Sequence, residues 1–305
     1  DTLRNLVLAF ALRVDVALTG WIDAHCTFPN TMVDRIVPRT EDGDRERINR
    51  RLGLEDAWPV VGEPYLNWVI EDKFAAGRPA WETQGGATFV RKSEPYERLK
   101  LRMANGPHSA LAYLGAVMGR QTIADVVNEP ALRRYVEDMM RLEIGPTLKG
   151  IPDVGLEDYR RRFLARVANP ALPQRTQQVA MDGSQKLPQR LLDTIRDRMR
   201  NGDDTNLLCL AVAAWLHYLR GEDEQGGRYA IQDPMAAALA RLLQRADVAA
   251  QAAAPSQAAH RRAMVLAGFK PVFADLGEAP EFVSNLARHL EALRQHGVAQ
   301  AVAAA

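Results

Sequence analysis

The sequence predicts a mainly α protein: a large all-helical C-terminal domain, residues 93–305, preceded by a small α+β region, residues 1–92. Three observations carry this. After Lys92 nearly every segment repeats apolar residues at helical spacing. Before it, helices mix with short runs of strand-forming residues punctuated by Gly and Pro. Asn206–Leu219, NLLCLAVAAWLHYL, is apolar on nearly every side, as a helix threaded through a core must be.

From Thr2 to about Ala24, Leu3, Leu6, Val7, Phe10 and Val14 recur at helical spacing, and a second helical piece runs from Asp15 through Trp21. These helices are expected to cover a sheet. Thr27–Arg39, TFPNTMVDRIVPR, begins with turn residues and then reads as a loop entering a strand. Glu41–Leu52 is a charged helix whose signs alternate, the mark of a solvated face. Pro59–Glu63, Leu66–Ile70 and Ala87–Val90 are strand candidates, with loops at Gly77-Arg78-Pro79 and Gly85-Gly86.

Helices are then predicted at Glu94–Ala104, Ser109–Gly119, Glu129–Leu148, Gly155–Ala168, Leu187–Arg200, Asn206–Leu219, Pro234–Arg245, Ser256–Ala267 and Pro280–His296. The final AVAAA is expected to fray.

Composition narrows the function. With 39 basic against 38 acidic side chains, the formal charge of +1 gives no field to gather nucleic acid or an anionic membrane. The two cysteines, Cys26 and Cys209, lack ligand-like spacing, which points to a reducing compartment, the cytoplasm, and to neither a disulfide framework nor a metal site. The longest apolar run, Leu207–Leu216, is too short to span a bilayer. Asp1 is not a Met and the first residues read as a helix in mid-flow, so the chain is expected to be a fragment or a processed product. A monomer is expected.

The chemistry concentrates in Glu94–Gly115, EPYERLKLRMANGPHSALAYLG. On a helix, Lys100, Asn105 and His108 fall within a ~140° arc and could face one pocket. Gly106 and Pro107 predict that the helix ends or kinks near Asn105 and restarts at Ser109. A partly desolvated Lys can take a proton from a hydroxyl, an Asn amide can hold the oxygen left behind, and a His can fix a neighbouring hydroxyl. Spacing alone favours a surface Lys, a helix-ending Asn-Gly and a partly buried His.

In Gln178–Arg190, QVAMDGSQKLPQR, Asp182, Gly183 and Ser184 read as a turn that also caps the helix carrying Lys186. Asn30 and Asp34 are the polar residues of the loop-to-strand segment. Alone, they read as a Pro-Asn turn and as a partner for Arg35 or Arg39.

Taken together, FPNTMVDRIVP, EPYLNWVIEDKFAAGRPAWE, PYERLKLRMANGPHSALAYLG and QVAMDGSQKLPQR, in that order, resemble the polyol-specific long-chain dehydrogenases, which include mannitol 2-dehydrogenase and fructuronate reductase, also called mannonate oxidoreductase. The resemblance implies that residues 1–92 are the end of a Rossmann-type domain and 93–305 an α-helical substrate domain, with the site in a cleft between them. It implies a metal-independent, NAD-dependent oxidoreductase (NADP equally open) acting on a small sugar alcohol, ketose or hexuronate.

By the same resemblance Lys100 is the general base, Asn105 polarises the reacting oxygen, His108 positions the substrate and Glu97 relays the lysine proton. Asp34 stands on the cofactor side, with Asn30 beside it in the motif, and Lys186 contacts a substrate hydroxyl. Gln178 stands where mannitol 2-dehydrogenases have an Arg, a pattern closer to the fructuronate reductase branch; Pro107 also departs from the family pattern. A carboxylate-bearing substrate wants a cation, for which Arg102, Lys186 and Arg190 are candidates. The competing class is a non-catalytic helical binding or scaffold module derived from such an enzyme.

Overall fold

The computed structural model describes residues 2–148, 150–151 and 155–305. The chain divides into two compact units, Asp1–Arg98 and Leu99–Ala305.

In the first unit α1 (Thr2–Val14) and α2 (Val16–His25) are separated by Asp15, whose carboxylate accepts from the Ala17 N–H at 2.9 Å and caps α2. The two helices pack on each other, but they do not lie face-down on a sheet as expected. Only Ala11 and Ile22 are buried, while Leu3, Leu6, Phe10 and Trp21 are exposed. The sheet is too small to take them: its strands, β1 (Thr31–Asp34), β2 (Asn67–Glu71) and β3 (Ala87–Val90), have four or five residues, and α1 alone is about 20 Å long.

Strand order is β1-β2-β3. β1 runs antiparallel to β2, pairing Thr31 with Ile70 and Asp34 with Asn67, and β2 runs parallel to β3, pairing Trp68 with Ala87. The strand expected at Pro59–Glu63 is absent; Glu63 instead fixes the loop, its backbone N–H bonding Ile36 O and its carboxylate accepting from Ile36 N at 2.6 Å. Between the strands lie α3 (Asp42–Leu52), closed by a Glu41/Asp44 capping box, and the short α4 (Trp81–Gln84). The unit ends within α5 (Glu94–Leu99), at Arg98.

Among the described residues the second unit is mainly helical. A π turn, Lys100–Asn105, leads into α6 (Gly106–Val117); α7 (Ile123–Val127) and α8 (Pro130–Asp138) follow, and α8 continues into a second π turn, Met139–Ile144. Then come α9 (Leu156–Val167), α10 (Thr176–Ala180) and α11 (Gly183–Leu187), a third π turn at Pro188–Leu192, and α12 (Asp193–Arg200). The unit closes with α13 (Asn206–Tyr218), α14 (Ala236–Gln251), α15 (Ala258–Ala267), α16 (Lys270–Phe273) and α17 (Pro280–Ala303).

As its composition demands, α13 is the core: every residue from Leu207 to Leu216 is buried, between α6 and α17. Its first amides are held by Glu143, whose buried carboxylate accepts from Leu207 N and Leu208 N, each at 2.8 Å. The chain end does not fray. After a kink at Gly297 (φ 74°), α17 resumes and buries Ala301 and Val302, and Val298 N donates to Glu224 at 2.6 Å. Among the described residues no helix is long and apolar enough to cross a membrane.

Candidate functional site

The site is built on one uninterrupted helical run, α5 through α6. The break expected at Gly106-Pro107 does not occur; the helix widens instead. The Gly106 N–H reaches back five residues to Leu101 O, and Pro107, which has no N–H to bond back, follows this widened turn at the start of α6. The wider turn carries Lys100 and Asn105 at its two ends, with His108 just beyond.

All three side chains are partly buried. The His108 ring meets Phe163 of α9 edge-on, with centroids 6.3 Å apart. Glu97 is exposed, three residues ahead of Lys100.

The Lys100–Asn105 turn packs against both of the other π turns. Its tightest neighbour is Pro188–Leu192: a Cβ at Gly106 would lie 2.8 Å from Arg190 O, so the absence of a side chain there lets the two turns touch. Arg190 Nη1 then donates to Ser109 Oγ at 3.0 Å. Gln178, half-buried on α10, stands on a helix that packs along α6.

Lys186 lies on α11. Asp182 does begin this helix, in the left-handed conformation (φ 56°) that Asp tolerates, but its side chain makes no cap hydrogen bond. The cap comes from Asp233, which accepts from Ser184 N at 2.8 Å and Ser184 Oγ at 2.6 Å. Burial, then the charge of Arg190, lowers the proton affinity of Lys186; its ammonium is 3.9 Å from Asp182 Oδ2. Arg102 is engaged elsewhere, its Nη2 2.6 Å from Asp197 Oδ2 of α12 and its side chain almost wholly buried.

Asn30 and Asp34 belong to the first unit and sit about 13 Å apart at the two ends of β1. Asn30 donates backbone and side-chain N–H to Glu71 Oε2 at 3.1 and 3.2 Å. Burial alone would raise the Glu71 carboxyl, but the Lys73 ammonium and the Asn30 and Ser93 amides outweigh it and hold it below the usual range. Asp34 is buried, on the same side of β1 as Met32.

A helical unit that gathers a Lys, an Asn and a His on one widened helix, beside a second helix with Lys and Arg, coincides with a known architecture. The mannitol dehydrogenase C-terminal domain matches residues 92–294, and the mannitol dehydrogenase Rossmann domain matches residues 1–83. The chain belongs to the mannitol dehydrogenase family. Among its relatives, the D-mannonate oxidoreductase of Escherichia coli is 42% identical over 302 residues, covering 98% of this chain and 59% of that protein. The mannitol 2-dehydrogenase of Phaeosphaeria nodorum is 42% identical over 238 residues, 77% of this chain and 42% of that protein.

The structure of Pseudomonas fluorescens mannitol 2-dehydrogenase, a ternary complex with NAD and D-mannitol, superposes with a TM-score of 0.85 at 36% identity. It covers 99% of this chain and 58% of that one. The chain thus spans about 60% of the length of the Escherichia coli and Pseudomonas fluorescens relatives.

Sequence reading picked out Lys100, Asn105 and His108 because one helix carries them. Ser109 and Asp233 escaped it, since each acts on a partner that is remote along the chain, Arg190 and Ser184.

Proposed function

We propose that this chain carries the substrate-binding part of an oxidoreductase that interconverts a sugar alcohol or aldonate and the corresponding ketone with NAD or NADP. In this reading residues 1–92 are the end of a Rossmann-type domain and 93–305 the substrate domain. The observation that carries it is the meeting of two π turns, Lys100–Asn105 and Pro188–Leu192, at Gly106. Such widened turns in packed helices recur at functional sites. Family membership and the NAD and D-mannitol held by the Pseudomonas fluorescens relative support it as well.

Lys100, in its neutral form, takes the proton of the substrate's secondary hydroxyl on Nζ and returns it in the reverse direction. The Asn105 amide donates to that oxygen as it becomes a carbonyl, and His108 holds a neighbouring hydroxyl so that the reacting carbon is presented in one orientation. Glu97, exposed and one turn before Lys100, passes the proton to solvent. Lys186 and Gln178 hold further hydroxyls.

Bound NAD supplies the hydride acceptor. An amide and a buried carboxylate, Asn30 and Asp34, suit the ribose hydroxyls and carboxamide of a nicotinamide riboside. The lysine takes the role a metal-bound oxygen plays in other alcohol dehydrogenases; among the described residues no three His, Cys, Asp or Glu side chains gather as metal ligands would.

The test is Lys100→Ala in the full-length protein, assayed by NADH formation on D-mannitol and D-mannonate. Turnover is expected to fall by roughly 10²–10⁴-fold, the usual weight of a general base, with NAD affinity unchanged. Near-normal turnover would end the assignment.

A further inference from the structure

We infer that Arg190 is the specificity-determining residue of this site, and that the substrate it selects carries a carboxylate: an aldonate and its keto acid in preference to a neutral polyol. The inference rests on the proposed function and narrows it.

Its ground is the position and the unanswered charge of Arg190. The π turn sets the Arg190 backbone against Gly106, the residue after Asn105. Its guanidinium reaches Ser109, four residues beyond Asn105 on the same face of the helix, about 6 Å along the axis. A six-carbon substrate with its reacting oxygen at Asn105 would therefore bring its far end toward Arg190.

That guanidinium has one hydrogen bond, to the neutral Ser109 hydroxyl, itself fully buried; Nε is buried and has no partner. Among the described residues no carboxylate lies within ion-pair distance of it. Other largely buried arginines differ: Arg102 has Asp197, Arg196 has Asp193 and Asp275, and Arg262 has Asp247 and Glu291. Asp182 and Asp233 exert their fields on Lys186, and Asp233 is spent on capping Ser184.

A buried cation without a counter-charge is costly to keep, and a planar fork with open N–H groups matches a carboxylate in geometry as well as sign. Lys186, one turn earlier and repelled by Arg190, adds a second positive charge that an anionic substrate would relieve.

The experiment compares kcat/KM for D-mannonate and D-mannitol in the full-length holoenzyme, wild type, Arg190→Gln and Arg190→Lys, at low and high ionic strength. The wild type is expected to prefer the aldonate, with a KM for it that rises with salt. Arg190→Gln should lower the aldonate-to-mannitol ratio at least tenfold, chiefly through KM, the usual weight of a charge-assisted hydrogen bond, and Arg190→Lys should restore part of it.

A ratio unchanged by Arg190→Gln overturns the inference and leaves the proposed function standing. If Arg190→Gln does not fold, the wild-type ratio decides, and a preference for D-mannitol without salt dependence overturns it. A wild type that oxidises neither compound, with NAD, removes the functional reading and the inference with it.

Discussion

At position 183 the decisive group is one the residue lacks. A Cβ on Gly183 would lie 2.3 Å from Trp215 Nε1 and 2.9 Å from Tyr113 OH, and both rings are fully buried and held by aromatic neighbours, Phe273 and Tyr218. Neither ring can swing aside, so Gly183→Ala is expected to destabilise the protein by roughly 1–3 kcal/mol, the usual cost of overpacking. Urea unfolding of the variant beside the wild type measures it; equal midpoints would mean that the neighbours yield. The Asp-Gly pair was legible as a turn, but the reason for glycine was not, because Trp215 and Tyr113 are brought to it only by the packing of α13 and α6. The same holds for Arg190 and Ser109, 81 residues apart in sequence. Lys100, Asn105 and His108 could be grouped from the sequence since a single helix carries all three.

At the scale of elements, the sequence conveyed where most helices lie and misjudged how they continue. Gly106-Pro107 looked like a break because a proline ring clashes with the carbonyl four residues back. Shifting the bond of the preceding amide to Leu101 opens that turn, and the run from Glu94 to Val117 passes through. No local propensity signals such widening; it becomes worthwhile where another helix, here Pro188–Leu192, fits against the bulge. The short α7 was passed over although Thr122 and Asp125 form a capping box.

The start of α11 shows a cap supplied from afar. Asp233→Ala removes three hydrogen bonds, two from Ser184 and one from the Met235 N–H, all at 2.8 Å or less. A loss of about 1–2 kcal/mol in unfolding free energy is expected, the worth of a good N-cap. Asp182→Ala, whose side chain caps nothing, should cost less; the reverse ranking in denaturant titrations would reassign the cap.

For the whole molecule, the buried titratable groups around α13 set how stability answers to pH. Burial, against the pull of the Leu207 and Leu208 amides, raises the Glu143 carboxyl to about 7. Burial, helped by Arg288, lowers His289 to about 4, and burial with Arg220 lowers His217 to about 4. The signs oppose. Glu143, raised on folding, contributes stability that is full below its unfolded value near 4.5 and is lost as pH rises through about 7.

The histidines, lowered on folding, contribute stability that is full above about 6.5 and is lost as pH falls through about 4. Glu143 and His289, both almost wholly buried, are each worth about 3 kcal/mol across their windows, and His217 acts in the same direction as His289. Between pH 7 and 6 gain and loss nearly cancel, so stability should be close to level; below pH 6 two histidines outweigh one carboxyl and stability should fall. Glu143→Gln removes the opposing contribution, so the variant should lose stability more steeply from pH 7 to 5 than the wild type, whatever its stability at pH 7. Urea midpoints at half-unit steps from pH 7.5 to 4.5 measure both slopes, and parallel curves for the two proteins would show that Glu143 does not change its protonation in this range.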